Sequence, residues 1–232
     1  MGGASMSMPV VAVSGPIPDP SRVAAETVMA SLSPEESVGQ NFTWPKPCPP
    51  PRKPRVLLAA CGCLSAAKFG QICQCFLTWA DINTVVTENA RVFLERSSFP
   101  HNVQMFSDID QGRVWSESGP LLGSPLPDAL SKWADVMVVA PISANTIAKI
   151  VGGLCDNLLT TIIRVWDYEK TLYFAPSMDP LMWANPLTER QFRSLRALGP
   201  YVIILAEDNA QKHMPDPEII SVFVKINIRV KD

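Results

Sequence analysis

Histidine is almost absent from this 232-residue chain, which holds only His101 and His213. Neither stands near a serine or cysteine in a nucleophile motif, so a hydrolytic triad is not expected. Basic excess is missing too: 20 Lys and Arg stand against 22 Asp and Glu, a formal net charge of −2, which argues against a nucleic-acid partner. Every apolar run is broken by Pro, Lys or Asp short of the 18 or so residues a membrane span requires, and the first residues lack a basic-then-apolar signal pattern. A soluble, cytoplasmic protein with no membrane association is expected, its six cysteines reduced. The cysteines do not form a zinc motif: Cys61/Cys63 and Cys73/Cys75 are single-residue gaps, which point thiols to opposite faces of a strand and about 200° apart on a helix. Core thiols and no metal are expected. The GxGxxG dinucleotide signature is missing as well.

Proline, by contrast, is abundant and concentrated. Residues 1–53 hold ten of the 22 prolines, including PKPCPPP at 45–51. Such a segment cannot bury enough apolar surface to offset the entropy of ordering it, so 1–53 is expected to be a disordered Pro-rich tail and 54–232 the folded domain. A polyproline ligand at 45–51 is the sharper alternative to a plain spacer.

The folded part is organised around residues 133–183. Val136–Ala140 and Thr171–Ala175 are short apolar runs closed by proline, as suits parallel strands buried on both faces, and about 30 residues of helical periodicity between them are long enough for a crossover. Upstream, VLLAACG (56–62), a helix over Leu64–Trp79 and INTVVT (82–87) make a βαβ unit. Asn89–Glu95 reads as a helix, Val103–Phe106 as a strand, and 107–125 as an irregular connection. A helix begins over Asp128–Trp133, another covers Pro186–Leu198 with Gly199 as its cap, and Val202–Leu205 is a last strand. Pro217–Ile228 is Val/Ile-rich, which favours a strand.

Two strand-turn-helix units thus present small polar turns at one sheet edge, where open α/β sheets bind ligands. Gly62, Cys63 and Leu64 form the first, with backbone N–H groups for a phosphate. Thr87 ends the second strand with a hydroxyl. Ser143, Ala144, Asn145 and Thr146 form the other turn; one helix cap accounts for one of its polar residues, and three in four point to a ligand. Met178, Met182 and Trp183 read as core.

These stretches, together with APISANT (140–146), GGLCDNLLT (152–160), RVWDY (164–168) and APSMDPLMW (175–183), resemble the flavin-containing cysteine decarboxylase family, in its phosphopantothenoylcysteine decarboxylase and plant halotolerance-type branch. The resemblance covers about residues 53–205. It implies an α/β, flavodoxin-like (Rossmann-like) three-layer sandwich with a mostly parallel sheet, a trimer, and FMN bound where subunits meet, and it favours a helix over 217–228. It assigns FMN to Gly62, Cys63, Leu64, Thr87, Ser143, Ala144, Asn145, Thr146 and Ser177, with Cys63 where the family has serine. The family activity is FMN-dependent decarboxylation of 4'-phosphopantothenoylcysteine to 4'-phosphopantetheine in coenzyme A synthesis.

Three departures bear on that activity. Pro127 occupies the position of the family's catalytic histidine. Asp179 replaces the substrate-holding asparagine, and a fixed carboxylate about 4 Å from a substrate carboxylate costs on the order of 4 kcal/mol at an effective dielectric of 20. The cysteine-bearing ACGDxGxGAMAEP segment is missing, and no cysteine follows Cys155. The resemblance therefore leaves no residue to name as catalytic and implies a flavoprotein inactive alone, as a homotrimer or in a mixed trimer with a competent paralogue. The alternative is a regulatory protein that binds a partner such as a protein phosphatase.

Overall fold

The computed structural model describes residues 52–94, 99–112, 125–206 and 213–228. The expected tail lies outside them except for Arg52 and Lys53.

Six parallel strands form one sheet in the order β3-β2-β1-β4-β5-β6. They are β1 (Arg55–Ala60), β2 (Asp81–Val86), β3 (Gln104–Phe106), β4 (Val136–Ile142), β5 (Leu172–Pro176) and β6 (Val202–Ile204). Register is continuous at the centre, with Val56 opposite both Ile82 and Val136, and Met137 opposite Leu172. The winding reverses between β1 and β4, and this is the switch point at which a doubly wound sheet opens a crevice. The expected three-layer sandwich is the observed architecture, in the Rossmann-like strand order.

Strand alternation divides the core into two layers. Val56, Leu58, Val136, Val138 and Tyr173 face one way, onto Phe69, Ile72 and Phe76 of α1 (Phe69–Leu77), Ala90 of α2 (Glu88–Leu94) and Ile220 and Val224 of α8 (Pro217–Asn227). Leu57, Met137, Val139 and Phe174 face the other way. They meet α3 (Pro125–Trp133), α4 (Ala144–Val151), α5 (Leu158–Arg164) and α7 (Pro186–Arg196) through Leu130, Ile147, Leu159, Ile162 and Phe192. A single turn, α6 (Pro180–Ala184), follows β5. No helix among the described residues is long and apolar enough to cross a membrane.

Several elements differ from expectation. The helix over 64–79 starts as a 3-10 turn, Leu64–Lys68, before α1. Part of the connection over 107–125 is helical, at 108–112. Gly199 does not cap α7: the helix ends at Arg196 with Ala197 as its cap, and Gly199 is small because a Cβ there would lie 2.9 Å from that of Tyr168. Of the two readings of 217–228, the helix that the resemblance favours is the one observed, over Pro217–Asn227, against the local strand propensity. Among the expected core residues, Met182 is 52% exposed. Cys61 and Cys73 are buried as core thiols, whereas Cys63 and Cys75 are only half-buried.

Candidate functional site

One cavity of about 630 Å³ opens at the carboxyl ends of β1, β2, β4 and β5, within the range typical of small-molecule sites. All ten residues singled out in the sequence line it: Gly62, Cys63, Leu64, Thr87, Ser143, Ala144, Asn145, Thr146, Ser177 and Asp179. Each is placed by the end of a buried strand.

The turn after β1 is tightly held. A Cβ on Gly62 would meet the Cβ of Asn89 at 2.5 Å, so the bare backbone of the turn lies against the start of α2. The amide of Ala66 donates to the Cys63 carbonyl at 2.9 Å, starting the 3-10 turn. Ser65 Oγ and Ser177 Oγ are hydrogen-bonded at 2.6 Å, either hydroxyl able to donate, linking this turn to the end of β5. Burial pushes the Cys63 thiol up, against the pull of the Ser177 side chain and of the Ser65 and Ala66 backbone. It is therefore a neutral thiol beside the hydroxyl pair.

Thr87 follows β2. Its amide donates to Ala60 (3.1 Å) and its carbonyl accepts from Ala90 (2.8 Å), leaving the side chain on the cavity. Beyond β4, Ser143 caps α4: its Oγ accepts from the Thr146 amide at 3.3 Å and donates to Thr146 Oγ1 at 3.1 Å. Burial pushes the nearby Cys61 thiol up to about 11, against the pull of the Thr146 side chain. Asp179 caps α6, Oδ1 accepting from the Leu181 amide at 2.8 Å. Asp179 is exposed, so solvent screens it, and a nearby anion at 4 Å costs closer to 1 kcal/mol than 4.

Sequence reasoning missed Ser65, Asn89, Lys149, Asn157 and His213, which also line the cavity. Asn89 had a local signal, a second polar residue just after Thr87 at a helix start. Lys149 and Asn157 belong to helices that the chain's winding returns to the same edge; Lys149 is ion-paired to Asp156 and Asn157 builds a reciprocal capping box with Thr160. His213 had no local signal. Pro127 is buried in α3 and is not on the cavity wall.

The wall therefore offers a glycine turn with no room for a side chain, five hydroxyls, three amides and one lysine, a donor set suited to a phosphate and to the polar edge of a planar ring. Residues of this kind fit FMN.

Comparison with known proteins agrees with this geometry. The family model described as Flavoprotein matches residues 49–229. A phosphopantothenoylcysteine decarboxylase of Arabidopsis thaliana is 47% identical over 183 residues, covering 76% of this chain and 86% of the relative. The solved FMN binding protein AtHal3 superposes with a TM-score of 0.68 at 46% identity, covering 75% of this chain and 96% of that one. A PPC decarboxylase mutant complexed with pantothenoylaminoethenethiol gives 0.67 and 46%, covering 75% and 98%.

Proposed function

From the premise that the chain belongs to the Flavoprotein family, with phosphopantothenoylcysteine decarboxylases among its relatives, we propose that it holds FMN but does not complete the decarboxylation with its own groups. The observation that carries this reading is the convergence of the turns after β1, β2, β4 and β5 on one cavity. The backbone and hydroxyls of Gly62–Ser65, with Thr87 and Asn89, would hold the phosphate. Ser143, Asn145, Thr146 and Ser177 would hold the polar edges of the ring. Bound there, FMN supplies two-electron redox chemistry at a thiol, while binding, orientation and proton handling fall to the protein.

His213 is the wall's imidazole among the described residues, but the positions at which the family carries its own groups are poorly equipped for the protein's share. Pro127 has no proton to exchange. Asp179 as a carboxylate accepts but does not donate, so it cannot hold a substrate carboxylate as an amide N–H would. Cys155 is exposed and off the cavity wall, and Cys63, the wall's cysteine among the described residues, is held as a thiol.

Of the cavity's lining residues, Leu64 is 84% and Met182 52% exposed, and Leu181, next to Met182 in the chain, is 82% exposed. An apolar rim of this kind suits coverage by another chain, which supports a homotrimer or a mixed trimer in which a complete paralogue supplies the missing groups.

The purified full-length protein is expected to be yellow, to release stoichiometric FMN on denaturation, and to form no CO2 from 4'-phosphopantothenoylcysteine. A colourless protein that takes up no added FMN overturns the flavin reading. Turnover by the protein alone overturns the second half. Co-expression with a complete paralogue is expected to restore turnover; mixed trimers only as active as dilution predicts would refute complementation.

A further inference from the structure

The cavity is not uniform along the sheet edge. Because β1 and β4 lie between β2 and β5, Thr87 and Asp179 follow strands at opposite ends of the cavity. The glycine turn and the hydroxyls of Thr87, Ser143 and Thr146 lie from β2 to β4, and the Ser65–Ser177 pair reaches the end of β5. Beyond the Ser177 hydroxyl, which is paired with Ser65, the wall residues that flank Asp179 in the chain are apolar: Met178, Pro180 and Met182.

The charges on the wall are also unevenly matched. Lys149, the wall's lysine among the described residues, is paired to Asp156. No ion pair among the described residues involves Asp179. Its charge is not needed by the fold either: one oxygen caps α6 through the Leu181 amide, and asparagine caps a helix as well as aspartate does. The carboxylate is thus a surplus negative charge beside short apolar side chains, with His213 on the same wall as the remaining titratable group besides Cys63 and Lys149.

We propose that the β5 end of the cavity takes a cationic group on a short aliphatic stem, the chemical class of a primary alkylamine, with Asp179 as its counter-charge and Met178 and Met182 against the stem. An anionic carboxylate is disfavoured at the same place. This rests on the reading of the cavity as a ligand site, and it reverses the charge preference that an amide at position 179 would give.

The test compares two probes of equal length, n-butylamine and butyrate, by ligand-observed NMR titration of the full-length protein with added FMN and without it. At about pH 8 imidazoles are ordinarily neutral and the amine is charged. A unit charge some 4 Å away in a water-like dielectric changes affinity about fivefold, so the wild type is expected to bind the amine at least fivefold tighter than the carboxylate. Asp179→Asn keeps the cap and removes the charge; it is expected to abolish or invert the ratio while leaving the thermal midpoint unchanged. Equal binding of the two probes, binding of neither, or an amine preference that survives in Asp179→Asn would each overturn the proposal. A colourless protein would refute the flavin reading but leave this comparison readable, since the NMR signal reports on the probe and not on the chromophore.

Discussion

Gly62 and Asn89 touch backbone to side chain so closely that a Cβ added to Gly62 would lie 2.5 Å from Asn89 Cβ and 2.9 Å from its carbonyl carbon. The turn after β1 and the first turn of α2 are therefore fitted to each other. Gly62→Ala must push one of them away, and overpacking of this kind costs roughly 1–3 kcal/mol. Because both segments line the cavity, FMN affinity is expected to fall at least tenfold, by more than the loss of stability explains. Fluorescence titration of FMN alongside urea denaturation checks this; wild-type affinity in the variant would show that the turn does not meet the cofactor.

Two capping residues line the same cavity and separate stability from binding. Asn157 makes a two-way capping box with Thr160: its Oδ1 accepts from the Thr160 amide at 2.9 Å, and its own amide donates to Thr160 Oγ1 at 3.3 Å. Ser143 makes one cap bond of 3.3 Å to the Thr146 amide. Removing a cap costs about 1 kcal/mol, within a range of roughly 0.5–2. Asn157→Ala is expected at the upper end and Ser143→Ala at the lower, measured as urea midpoints. Ser143→Ala is expected to weaken FMN more than Asn157→Ala does, and the opposite order would move the ring's polar edge away from α4.

The parts of this fold that were legible in the sequence are those in which local pattern and burial agree. β1, β4 and β5 are covered on both faces, so their uninterrupted apolar runs announced them. The turn residues after them were legible because Ser, Thr, Gly and Asn at a strand's end have few other uses. α8 was misleading: its Val/Ile content favours a strand, yet Pro217 starts a helix that buries Ile220, Ser221 and Val224 against α1 and the sheet, and tertiary burial outweighs propensity. His213 could not be found locally. It reaches the wall because Met214 is buried in the core and Asp216 pairs with Lys68 at 2.9 Å, contacts that join positions nearly 150 residues apart.

Thiol labelling should follow burial. Burial pushes Cys61 up to about 11 and Cys73 up to about 12, and both are 0–1% exposed, so they present neither thiolate nor access. Cys155 is exposed. Under native conditions near pH 8, iodoacetamide followed by peptide mass spectrometry is expected to find Cys155 labelled first, Cys63 slowly, and Cys61 and Cys73 only after unfolding. Since Cys63 lines the cavity, bound FMN should slow its labelling at least several-fold and leave Cys155 unchanged. Equal protection of both cysteines would indicate a general tightening in place of occupancy of this cavity.

The entry of the chain into the sheet makes a pH-dependent contribution whose sign can be worked out. Arg52 donates to both oxygens of Asp135 at 2.6 and 2.7 Å, and the Arg55 amide donates to Oδ2 at 2.8 Å. Burial alone would raise the Asp135 carboxyl, but the Arg52 and Arg55 hydrogen bonds and charges together hold it below its ordinary 3.8. A carboxyl lowered in the folded state gives stability that is fully present above the unfolded value and is lost as pH falls through the folded one. Arg52→Gln is therefore expected to lower stability by about 1 kcal/mol at neutral pH, the scale of a well-formed but half-exposed pair. The gap from wild type should stay constant down to about pH 4 and close below it, as the partner carboxylate is neutralised in both proteins. Urea midpoints of the two proteins between about pH 3 and pH 7 measure this. A gap that persists unchanged at the lowest pH would mean that Arg52 acts through packing of its stem and not through the charge of Asp135.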